Sequence, residues 1–94
     1  HEVPFFIEQI SDKVLLALNN GNLLDLRIYS VELSEFVREN PVESPEYDQF
    51  VSKTGDIVDR IEMERDENEE TVSDETEEMV REVINRAKKI YLRG

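Results

Sequence analysis

Carboxylates are the only reactive side chains this sequence supplies in quantity. The single histidine is His1, at the end of the chain, and there is no cysteine. A serine or cysteine nucleophile would have no histidine base, and a zinc site built from cysteine and histidine has no ligands. The three glycines, Gly21, Gly55 and Gly94, are too scattered to form a phosphate-cradling loop. Asp and Glu, by contrast, account for 23 of the 94 residues. The densest run, Asp66 to Glu78, holds eight carboxylates among thirteen residues and no base. Numbered as a twelve-residue loop from Asp66, oxygen donors fall at positions one, three, five, nine and twelve: Asp66, Asn68, Glu70, Asp74 and Glu77. The Val72 carbonyl would take position seven. That spacing suits Ca²⁺ held between two helices. Thr71 stands where the sharp turn wants glycine and Ser73 where an apolar residue is usual, so a solvated charge run is the plainer expectation. No cofactor is expected, with Ca²⁺ or Mg²⁺ the sole group the composition leaves open.

A second carboxylate pair, Glu32 and Glu35, is spaced to share one face of a helix. This arrangement resembles the all-α nucleotide pyrophosphohydrolases of the MazG type, which bind Mg²⁺ between paired acids on facing helices. The resemblance implies a further pair on the partner helix, for which Asp56 and Asp59 stand in this sequence. Lys53 occupies the position one turn before Asp56, where that family tends to carry an acid. The C-terminal bases Arg86, Lys88, Lys89 and Arg93 are read as complementing a helix end rather than as an anion site, since no glycine-rich backbone or interleaved aromatic accompanies them.

Net charge is −12. Phosphate backbones and anionic membranes repel such a surface, so neither direct nucleic-acid binding nor membrane binding is expected. The longest apolar run, Val14 to Leu18, is far too short to span a bilayer, and no basic-then-apolar leader opens the chain. A cytoplasmic protein is expected. Ninety-four residues make one domain with a modest core, for which association into a homodimer is the usual remedy.

The elements that must position these side chains are helices. Ile7, Ile10, Val14 and Leu18 recur at helical spacing over about residues 4–19, and Leu15 with Leu16 widen the stripe enough to imply burial from two sides. Gly21 suits the left-handed position that closes a helix. Residues 23–39 carry two patterns. Leu24, Leu26 and Ile28 alternate as in a strand, whereas Leu26, Tyr29, Leu33, Phe36 and Val37 form a helical stripe. One helix buried all round in its first two turns reconciles them, with a two-stranded ribbon as the alternative. Ser44-Pro45-Glu46 predicts an N-cap and a helix over 45–65, whose Tyr47, Phe50, Thr54, Ile57 and Ile61 form a seam. Gly55 inside it would cost about 1 kcal/mol relative to alanine, recovered if a neighbouring helix approaches closely there. An acidic loop over about 66–72 leads to Ser73, which caps a helix over 73–92 with acids in its first turns and bases in its last. The fold class expected is all-α: a four-helix antiparallel bundle or two packed helical hairpins in a single domain.

These readings favour a non-enzymatic protein–protein interaction module, a small acidic regulator or adaptor, associating as a homodimer. Its expected interface is the seam Tyr47, Phe50, Thr54, Ile57 and Ile61 together with the aromatic pair Phe5 and Phe6. The alternatives are an acidic inhibitor or immunity-type protein filling a basic site on a nuclease or DNA-binding protein, and a divalent-metal protein of either kind described above.

Overall fold

The computed structural model describes residues 2–67 and 71–92. Four helices follow one another: α1 (Glu2–Asn19), α2 (Leu23–Glu39), α3 (Tyr47–Asp66) and α4 (Asp74–Tyr91). Each packs on its neighbours in the chain, and α1 closes the ring against α4. Short connections make successive helices antiparallel. Phe6 near the start of α1 meets Phe36 near the end of α2, and Arg81 early in α4 reaches Asn19 at the end of α1. The result is a four-helix antiparallel bundle with no strand among the described residues.

Local chemistry explains the turns. Gly21 adopts φ 65°, and the Asn22 and Gly21 N–H groups donate back to the carbonyls of Ala17 (3.0 Å) and Leu18 (3.1 Å). This crossed pair satisfies carbonyls that α1 would otherwise leave bare. Asn22 then caps α2 by accepting from the Asp25 N–H at 3.0 Å. Two helices are thereby joined through three residues.

Four expectations change. The ribbon alternative for Leu23–Val31 disappears, because that stretch is the first half of α2. It is not buried all round, however: Leu26 and Ser30 face the core, whereas Leu24 and Ile28 point outward, 53% and 42% exposed. Likewise α1 is not covered from two sides, since Leu16 remains 62% exposed. Finally, α3 starts at Tyr47 rather than Pro45. Ser44 uses its Oγ on the Glu46 N–H (3.2 Å) and its carbonyl on the Tyr47 N–H (3.1 Å), so the Ser-Pro-Glu segment forms a turn that precedes the helix instead of opening it.

The core is one cluster drawn from all four helices, including Ile7, Val14, Leu26, Leu33, Phe50, Ile57, Ile61, Val80 and Ile84. One end of the bundle is aromatic. Phe6 stacks on Phe36 with centroids 4.1 Å apart, and Tyr91 leans on both Phe36 and Phe50. There the Tyr47 hydroxyl donates to the Val37 carbonyl (2.6 Å), which also accepts from the capping Asn40 N–H (3.3 Å), and the Tyr91 hydroxyl donates to the Asn40 carbonyl (2.7 Å) beyond the end of α2. No helix of the described residues is long and apolar enough to cross a membrane.

Candidate functional site

The acidic run is organised by a side chain outside it. Glu64, in the last turns of α3, is 5% exposed, and its carboxylate accepts from the Ser73 N–H (2.7 Å) and from the Thr76 hydroxyl. Ser73 in turn caps α4 through the Thr76 N–H at 3.2 Å. A negative group is thus held at a helix N-terminus, where the backbone dipoles favour it. Sequence reasoning passed over Glu64, although it continues the Phe50–Thr54–Ile57–Ile61 spacing by one more step. An acid at the next core position, with Ser and Thr beyond the following turn, was the available signal.

Of the residues spaced like a calcium loop, Asp66 ends α3, Asp74 opens α4, and Glu77 is engaged by Arg81 at 3.0 Å. Asn68 and Glu70 lie outside the described residues. Among those described, no three His, Cys, Asp or Glu side chains gather closely enough to hold a metal ion.

The paired acids of α2 and α3 are only partly brought together. Glu35 and Asp59 line one groove between the two helices, with Val31, Arg38, Gly55 and Val58. Asp56 turns instead toward α4, where it borders a dimple with Lys53, Met79 and Glu82. Lys53 donates to Glu82 at 2.6 Å and Arg86 approaches the same oxygen at 3.3 Å. The Lys53 bond foremost, with Arg86 assisting, holds the Glu82 carboxyl below its usual range. Arg86 and Lys89 border a shallow depression with Glu46. Arg93 lies outside the described residues.

The seam expected at an interface is spent within the chain. Phe50, Thr54, Ile57 and Ile61 are at most 1% exposed, and Tyr47 is half-buried. Thr54 is satisfied by the Val51 carbonyl (2.6 Å) and sits 3.2 Å from Ser34 Oγ, which packs a small polar contact where α3 crosses α2. Of the terminal pair, Phe6 is stacked inside while Phe5 is 61% exposed. The apolar side chains left to solvent are therefore Phe5 and Leu16 on α1, Leu24 and Ile28 on α2, and Met63 on α3. Comparison with protein-family models, curated proteins and solved structures finds no match to this chain.

Proposed function

We propose that this chain is a non-catalytic protein-binding module, an acidic helical adaptor whose contacts lie outside its own core. The observation that carries this reading is the pairing of a closed core with bulky apolar residues left uncovered on α1 and α2. Scattered exposed apolar residues are ordinary. Leu24 and Ile28, however, stand one turn apart on the same face, and single-residue chance does not explain a stripe. The absence of histidine and cysteine chemistry supports a non-enzymatic role, and the partner expected is a protein, basic in character. A homodimer of the kind chain length favours would have to use these outer faces, because the α3 seam is occupied.

Photo-crosslinking residues placed singly at Phe5, Leu16, Leu24 and Ile28 test this in cells expressing the chain. Discrete products are expected from the apolar positions and none from a control at Asp12. Absence of products at every position would refute the module. Release of pyrophosphate from nucleoside triphosphates with Mg²⁺, abolished by Glu35→Gln, would replace it with the enzyme reading.

A second reading rests on the first two turns of α4, where Asp74, Glu75 and Glu78 are exposed. Such a rigid acidic end suits occupation of a basic protein site, as an inhibitor or immunity-type protein would. Binding of that kind weakens steeply with salt, whereas docking on the apolar stripe of α2 resists it.

A further inference from the structure

We infer that the face of α2 running from Leu24 through Ile28 and Val31 into the groove at Gly55 receives an amphipathic helix, flanked by lysine or arginine, of a partner protein. This rests on the interaction-module reading and names its surface and the chemistry of its partner. Positions 24, 28, 31 and 35 fall on one narrow face of α2, opposite the side that Leu26, Leu33 and Val37 bury. Val58 continues the apolar surface on the α3 side of the groove. Two packed helices with an apolar furrow between them accept a third by the same ridge-and-groove fit that holds the bundle together.

Gly55 supplies an independent sign. A glycine inside a helix weakens it, and close approach of a neighbouring backbone would be its ordinary justification. No such approach exists: a Cβ at Gly55 would meet only the tip of the Arg38 guanidinium, at 3.6 Å, an ordinary contact with a flexible group. The fold does not need glycine there. What the missing side chain does is leave the floor of the groove, beside Val58 and Asp59, to the movable tip of Arg38.

Charge selects the occupant. Among the described residues the groove's two carboxylates, Glu35 and Asp59, make no ion pair, while Arg27 and Arg65 are taken up by Glu62. Arg38 is the one cation in the groove without an ion pair among the described residues. The free rim is therefore acidic on balance, on a chain of net charge −12. A second copy would bring the same negative charge to that rim, so like-charge repulsion disfavours it, and a basic helix matches it.

The test uses the whole chain with a synthetic Leu/Lys amphipathic helical peptide and its Leu/Glu counterpart. Amide shifts should move between Leu24 and Glu35 and around Gly55 to Asp59 with the Leu/Lys peptide, and not with the Leu/Glu one. Leu24→Lys with Ile28→Lys should weaken binding by about tenfold or more. Glu2→Gln with Glu8→Gln, exposed on α1, adds the same charge and should leave affinity within about twofold, which separates the groove from general attraction to an acidic protein. Gly55→Leu, where an added Cβ meets only the flexible Arg38 guanidinium, should weaken binding in a chain that still folds. Equal losses from the α1 and α2 pairs, shifts centred on Asp74 to Glu78, or a second copy seated on the α2 face would overturn the inference. Crosslinks from Phe5 and Leu16 alone would remove the groove and leave the module standing. Crosslinks from nowhere would remove both.

Discussion

At the scale of single residues, buried polar groups decide more than the conspicuous acidic surface does. Glu64 joins α3 to the first turn of α4, and its removal would strand the Ser73 N–H and the Thr76 hydroxyl. Charge-assisted bonds to a buried carboxylate contribute about 1.5–3 kcal/mol. Glu64→Ala should thus lower unfolding free energy by about 2 kcal/mol, and Glu64→Gln, which retains one acceptor, by about half as much. Urea titration checks both, and a loss no larger than for exposed Glu78→Ala would show that the latch is idle. Tyr91 offers a pH signature. Burial, aided by the nearby Tyr47, pushes its phenol up to about 12. Its folded value lies above the unfolded one of about 10, so the protonated form is favoured by folding. The stability involved is complete below pH 10 and disappears as pH rises toward about 12. Unfolding midpoints should fall across that window, and less steeply in Tyr91→Phe. A flat profile in the parent protein would contradict the burial argument.

At the scale of elements, helical spacing was legible in the sequence because each helix has an apolar face and chemically marked ends. Gly21 and Ser73 behave as their chemistry predicts, one closing α1 and the other capping α4. The start of α3 was misread because Ser44 has two nearby N–H groups to serve, and the turn with Glu46 and Tyr47 competes with a cap. The outward face of α2 was hidden for a different reason. Leucine and isoleucine occupy both sides of its first two turns, so periodicity alone cannot say which side meets the core. The candidate site was illegible from the same cause, since Leu24 and Ile28 look like core residues until the packing is known. Gly55 belongs at this scale too. With space at its Cβ and a helical backbone, Gly55→Ala should raise stability by about 0.5–1 kcal/mol. Thermal and urea unfolding would reveal this, and a destabilised variant would mean the helices touch more closely at that point than the structure has them.

At the scale of the whole molecule, the four helices close a ring, and the seam of α3 serves α2 and α4 of its own chain. The core is then complete in one copy. What remains on the outside, an apolar stripe on α2 beside an acidic rim, is free to serve another molecule. Replacing it should accordingly leave the fold intact: exposed substitutions such as Ile28→Lys usually shift stability by no more than about 0.5 kcal/mol, whereas Ile57→Ala in the core should remove about 2–5 kcal/mol. The most direct test of this division is the dependence of the urea midpoint on protein concentration. A chain that completes its own core unfolds at the same urea concentration whether dilute or concentrated. A midpoint that climbs with concentration would mean that folding and association are one event, and that the core is shared between copies after all.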